Sequence, residues 1–443
     1  MSIDKKIWEA FFNSLIETLE TSRDKIIAPG QTFSAISPEA VFTVGNAIYR
    51  LQEPLFQNYA DISEKLTDDN TLTEKASKQY VERTLEIIFH NIVTDHTNRS
   101  LGNADKYLEK LIGNITGRIR NWIYIKPLEG RWLDNGITLS LGNTSLLNKD
   151  AEELKHLQEN YIDFVKKSEA IQDNLKSDWI TYISAPFKFE GEFTYITAAV
   201  MAADPDFAIE SGKLEAQRFL STICLFQYLV LPDPNQIFIG MPSLSSLSSY
   251  PPAIALAPID NNPAFSLEAP KHYDFNFKFN KSALEDMRMF GWERLEAIWA
   301  KDKHSEWEKI LLNSAVWLGA GIADSDYATA FVRFTTVLEM LVCDKEITES
   351  ITNKFAERTA FVLSEKSEKR EYIWRKLKDL YSIRSKMLHS GSYDIEKDNL
   401  EAIRFYAIDC YQRLLKWPDE MRKKEEIISW CNKKKFESAE IKT

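Results

Sequence analysis

The sequence predicts a multidomain, mainly α protein with three regions: a helical N-terminal region, a mixed α/β middle domain and a C-terminal all-α bundle. Three observations carry this. Apolar residues recur at helical spacing through residues 1–120. The period shifts toward two near Asn121. From Lys281 onward only the helical period is present.

In the first region Ile7-Trp8, Phe11-Phe12, Leu15-Ile16 and Leu19 form one helical stripe, stopped by Ala28-Pro-Gly30. Ala40 to Leu55, Ser77 to Val93 and Ala104 to Ile119 repeat the pattern, joined by polar linkers such as Thr67-Asp-Asp-Asn-Thr71. No internal repeat or low-complexity tract is present.

In the second region, residues 121–280, Trp122 to Ile125 reads as a strand. Ile137, Leu139 and Leu141 alternate with polar residues after the turn Asp134-Asn-Gly136. Ala151 to Lys166 reverts to helix, and Ile180 to Met201 is rich in β-formers. Leu214 to Val230 reads as a buried helix ending before Leu231-Pro-Asp-Pro234. Tyr273, Phe275, Phe277 and Phe279 alternate with polar residues as a further strand.

The third region spans 281–418. Its helices are Trp307 to Leu318, Tyr327 to Cys343, Ile351 to Leu363, one from about Ser367, and Leu400 to Leu415, stopped by Pro418. Short connections imply antiparallel packing. A polar, basic tail over 419–443 follows, with Arg422-Lys-Lys424 and Lys433-Lys-Lys435.

Bulk properties narrow the function classes. A length of 443 residues accommodates two or three cores. A net charge of -11 disfavours indiscriminate nucleic-acid binding while allowing a local basic patch. No apolar run reaches the length of a membrane span, and Met1-Ser-Ile-Asp-Lys-Lys lacks the apolar core of a secretory signal. Cys224, Cys343, Cys410 and Cys431 are scattered and read as buried free thiols, which fits a reducing cytoplasm. His90, His96, His156, His272 and His304 have no metal-ligand spacing, and Gly319-Ala-Gly321 reads as a helix end, not a phosphate loop. No metal or cofactor is expected.

The informative stretch is Tyr381-Ser-Ile-Arg384-Ser385-Lys-Met-Leu-His389-Ser-Gly391. At helical spacing Arg384 falls within roughly 20° of Ile373, on the stripe that carries Leu377 and Leu380. A guanidinium there is costly unless it is paired or reaches a wet cleft. Glu339, at the edge of the stripe Phe334, Leu338 and Leu341, is the proposed partner. Over 369–386 seven basic residues face two acidic ones, a reversal of the overall charge, and Lys376 and Lys386 in this run are candidate RNA contacts. Cleavage of RNA by its own 2′-OH needs an acid or base near neutral pH and a cation over the phosphorane. Histidine suits the first role and arginine the second. Within one helix, however, His389 lies roughly 140° around from Arg384. A bend at Ser390-Gly391 or a second copy of the helix is needed to join them.

This region resembles the HEPN superfamily, most closely its Apea-like domain. The resemblance rests on Phe331-Val-Arg-Phe-Thr-Thr-Val-Leu-Glu339-Met-Leu, on Lys354-Phe-Ala-Glu-Arg-Thr-Ala360 and on Leu377 to Gly391, and covers roughly residues 305–417. The family's R-x4-6-H motif falls on Arg384, Ser385 and His389, and its acidic residue on Glu339. Ser390 stands where relatives often carry glycine. The resemblance implies a metal-independent endoribonuclease, an RNA hydrolase with a composite active site between two protomers. Toxin-like and anti-phage effectors occur in the family, as do inactive members. On that reading Arg384 and His389 are catalytic, and Glu339, Ser385 and Tyr381 support them. The N-terminal region would sense a phage-derived, small-molecule or protein trigger in the cytoplasm, with no membrane involved. The alternatives are a silent HEPN module for dimerisation or binding, and a nucleotide-responsive regulator.

Overall fold

The computed structural model describes residues 5–21, 41–44, 47–51, 55–68, 70–94, 103–129, 132–169, 171–184, 193–231, 254–256, 265–267, 279–324, 326–344, 351–390, 395–417 and 423–440. There the chain is mainly α. It divides into two compact units. One comprises Met1–Ile123, Ala199–Ser211 and Ala255–Ser266, the other Tyr124–Ala198, Gly212–Ile254 and Leu267–Thr443. This partition differs from the expected boundaries at 120/121 and 280/281.

In the first unit, α1 (Lys5–Thr21) buries Trp8, Phe11, Phe12 and Leu15. Where the helical period predicts a helix over Ala40 to Leu55, the chain instead forms β1 (Val41–Val44) and β2 (Ala47–Arg50), paired antiparallel with Val41 opposite Arg50. The β-branched and aromatic residues Val41, Phe42, Thr43, Ile48 and Tyr49 favour a pleated surface. Gly45-Asn46 between the runs is a hairpin signal. Four helices follow: α2 (Leu55–Asp68), α3 (Asn70–Thr73), α4 (Lys78–Thr94) and α5 (Ala104–Thr116). Ile62, Leu85, Phe89, Leu111 and Ile115 complete the core. The Trp8 indole donates to the Ala104 carbonyl at 2.7 Å, so burial of the ring leaves its N–H satisfied.

The strands β3 (Arg120–Glu129), β4 (Leu139–Leu141), β5 (Thr144–Asn148), β6 (Phe193–Ala202), β7 (Ile254–Leu256) and β8 (Phe265–Leu267) form a sheet of order β4-β5-β6-β3-β7-β8. Leu139 sits opposite Leu146, and Leu146 opposite Ile196, in antiparallel ladders. Between β5 and β6 lie α6 (Glu152–Lys167) and α7 (Asp173–Ser184). Of the β-rich stretch expected over Ile180 to Met201, residues 180–184 are helical, residues 185–192 lie outside the described residues, and Phe193 onward is strand. Residues 273–278 of the expected strand Tyr273 to Phe279 lie outside the described residues; Phe279 itself is buried and bridges Leu133.

The second unit has one continuous core. Leu139, Leu146 and Ile196 of the sheet share it with Phe219 and Ile223 of α8 (Pro205–Val230) and with Phe331, Leu338 and Leu377 of the bundle. That sharing is why no boundary falls at 280/281. The bundle runs through α9 (Lys281–Met289), α10 (Trp292–Trp299), α11 (Glu306–Ile322), α12 (Tyr327–Val342), α13 (Ile351–Leu363), α14 (Ser367–Ser390), α15 (Lys397–Leu415) and α16 (Lys424–Glu440). Ser305 and Glu308 form a capping box that starts α11, and Asp326 accepts from the Ala328 and Thr329 N–H groups to start α12. Gly319 is in the last turns of α11. A Cβ there would meet the Ser221 carbonyl oxygen at 1.6 Å, so only glycine permits this approach to α8.

The expectation of a polar tail over 419–443 is corrected. Lys424–Glu440 is a helix, and Ile427 and Cys431 are buried in the bundle's core. Two apolar residues four apart suffice to seat one face of a helix whose other faces are charged.

Candidate functional site

The site is built where α12 and α14 meet. Phe331, Phe334, Leu338 and Leu341 of α12 are buried, and Glu339, adjacent to this stripe, is half-buried. On α14 the buried stripe is Ile373, Leu377, Leu380, Tyr381 and Met387. Arg384 lies beside it with its side chain 23% exposed.

The two helices exchange polar contacts through one carboxylate. Arg384 Nη2 donates to Glu339 Oε2 at 3.1 Å, and the Tyr381 hydroxyl donates to Oε1 at 2.7 Å. The guanidinium stands 5.5 Å from the centre of the Tyr381 ring, within range of a cation–π attraction. Phe355 of α13 packs against that ring with centroids 4.9 Å apart. Burial raises the Tyr381 pKa well above its ordinary value, and the bond to Glu339 raises it further. The phenol therefore remains the protonated donor. Arg384 Nε is buried and lacks an acceptor among the described residues. A half-exposed guanidinium with donors to spare, aimed by a carboxylate and a phenol, can hold an anion.

The remaining predicted residues are placed differently. Ser385 is half-buried on α14 and stands outside the three-residue assembly among the described residues. His389 is exposed in the last turn. Because α14 is unbroken through Ser390, His389 lies about 7.5 Å further along the axis and roughly 140° around from Arg384. One chain therefore does not bring Arg384 and His389 onto a common atom. Lys376 is bound to the Asn399 side chain at 3.1 Å, and Lys386 is exposed. Part of the basic run is also neutralised locally: Arg375 pairs with Glu371, and Lys378 lies 4.5 Å from the Trp374 ring centre.

Two cations missed in the sequence reading stand behind the site. Arg358 of α13 is buried; its Nη1 donates to the Val342 carbonyl at 2.9 Å and its Nη2 to Asp344 at 3.0 Å. Lys424 of α16 donates to the Glu339 carbonyl at 3.4 Å. Both cations meet the C-terminal turn of α12, where the helix dipole is negative. Arg358 carried the same signal as Arg384, a cation three residues from Phe355 on an apolar stripe. Lys424 carried none, because it lies in a charge-rich run.

Among the described residues no group of three or more His, Cys, Asp or Glu side chains is arranged to hold a metal ion. No described helix is long and apolar enough to cross a membrane. All four cysteines are free and buried, and burial, with Glu339 adding, pushes the Cys343 thiol up to about 11. Comparison with protein-family models, curated proteins and solved structures finds no match for this chain.

Proposed function

We propose that the chain is a metal-independent endoribonuclease of the HEPN type. It acts as a cytoplasmic homodimer, as an RNA-cleaving effector in anti-phage defence or a toxin-like system, with the N-terminal part sensing the trigger. The carrying observation is the half-buried Arg384, braced by Glu339 and Tyr381 on a helix whose last turn exposes His389. The 2′-oxygen of the substrate attacks phosphorus as His389 removes its proton, and the bond from phosphorus to the 5′-oxygen breaks. The products are a 2′,3′-cyclic phosphate and a 5′-hydroxyl that takes up a proton. Arg384 binds the scissile phosphate and stabilises the charge that develops on it. Because the two residues diverge on one helix, the site combines Arg384 of one protomer with His389 of the other.

The test is cleavage of RNA by the purified chain and growth arrest in a bacterial host. R384A and H389A each abolish both effects, and EDTA changes neither. When the two variants are co-expressed, half of the dimers are mixed and each has one intact site, so about a quarter of the activity returns. No recovery would sink the composite site.

A silent binding module is the second reading. It is favoured by the fact that the Arg384–Glu339 pair is already self-contained. Full tolerance of both substitutions would establish it.

A further inference from the structure

The last described helix, α16, is joined to the site from behind. Lys424, in its first turn, reaches the Glu339 backbone carbonyl, and Glu339 is the residue whose carboxylate holds Arg384 and Tyr381. Further along the same helix Cys431 Sγ approaches the Arg358 carbonyl at 3.9 Å. Lys435 pairs with Glu357 at 2.7 Å, and Lys434 with Glu365 at 3.8 Å. The Trp430 ring meets Trp417 edge-on with centroids 4.7 Å apart.

The seat is thin in apolar terms. Among the described side chains of α16 only Ile427 and Cys431 are buried. Its other anchors include the partly buried Trp430, a lysine on a carbonyl, and lysine–carboxylate pairs with exposed members: the Glu365 side chain is 79% exposed and that of Lys435 55%. Exposed pairs of this kind are weak and are screened by salt. Contacts of this kind give way before a continuous apolar core does.

We infer that α16 is a detachable clasp and that Lys424 is a positioning residue, which sets the Glu339 turn and through it the aim of Arg384. Docked, the clasp holds the end of α12 against α13. Released, it frees the turn that carries Glu339, and the guanidinium loses its fixed direction. The conformational part stands on these contacts alone; the consequence for cleavage rests on the ribonuclease reading.

Thiol protection in the full chain tests it. Cys431 is on the buried face of α16 itself and Cys343 caps the end of α12, whereas Cys224 of α8 serves as a reference for global opening. Alkylation mapped by mass spectrometry at low salt finds all three protected. At 1 M NaCl the labelling of Cys431 and Cys343 rises by about tenfold while Cys224 stays protected. K424M produces the same opening at low salt, and K424R restores protection. Uniform protection of Cys343 and Cys431 in high salt and in K424M would overturn the clasp. If the wild-type chain cleaves RNA, K424M lowers kcat/KM and weakens binding of an uncleavable RNA analogue several-fold, and K424R recovers both; unchanged kcat/KM and affinity in K424M would remove the positioning role. A chain with no nuclease activity but the predicted labelling would refute the ribonuclease reading and leave the clasp standing.

Discussion

Arg358 and Arg384 carry the same sequence signal and meet different fates. Each sits on or beside the apolar stripe of a helix that packs against α12. Arg358 is 7% exposed and spends its two terminal nitrogens on the Val342 carbonyl and Asp344. It ties α13 to the end of α12. Arg384 is about three times as exposed, donates to Glu339 through Nη2, and keeps a buried Nε without an acceptor among the described residues. A buried arginine that joins the last carbonyl of a helix to the carboxylate just beyond it is part of the scaffold. A more exposed one that keeps an unused donor among the described residues can still take a ligand. A cation on a core stripe is therefore a signal of cost, and what offsets the cost decides its meaning.

Three experiments bear on this contrast. The largest stability effect is expected at the scaffold arginine. R358M removes the donor to the Val342 carbonyl and leaves Asp344 with Lys354 at 3.9 Å, and should cost about 3 kcal/mol, read from the urea unfolding transition of the bundle. If R384M proves equally costly, the distinction between the two arginines collapses. E339Q should be milder, costing about 1 kcal/mol, because Arg384 can turn toward water. Its sharper consequence is in binding: affinity for a short uncleavable RNA analogue should fall several-fold as the guanidinium loses its orientation. Equal affinity would mean that Glu339 serves folding alone.

The smallest effect concerns Tyr381. Its folded pKa is raised above the ordinary value near 10, first by burial and then by Glu339. Protons therefore leave the unfolded chain first as pH climbs past 10. The stabilisation that Tyr381 contributes is complete below that point and declines above it. Y381F, with no proton to lose, should show a shallower loss of stability between pH 10 and 11 than wild type. Parallel curves would show that the phenol is not held as described.

Legibility in the sequence varied by element for physical reasons. The helices Tyr327–Val342 and Ile351–Leu363 are readable because each buries an apolar face at helical spacing, the first started by the Asp326 cap. Ala40 to Leu55 misleads because its apolar residues suit both periods, and β-branching with the Gly-Asn hairpin signal in the sequence outweighs the helical one. The tail over 419–443 misled because lysine density conceals the pair Ile427 and Cys431. The Glu339–Arg384 pair could be anticipated, since a costly arginine needs a carboxylate and only one lay at the edge of the preceding stripe. The Tyr381 hydroxyl on the same carboxylate was not foreseen, because helical spacing shows which face a phenol occupies but not where its tip reaches.

By itself the sequence determined the helical periods, the mainly α class and the fact that a guanidinium interrupts the stripe of α14. These follow from local spacing and the cost of burying charge. Tertiary structure alone decided that the sheet and the bundle share one core, that Lys424 returns to the turn carrying Glu339, and that Arg384 keeps an unused Nε donor among the described residues while Arg358 commits both terminal nitrogens to Val342 and Asp344. Such choices depend on which distant groups become neighbours, and a chain's periodicity does not encode the positions of its partners.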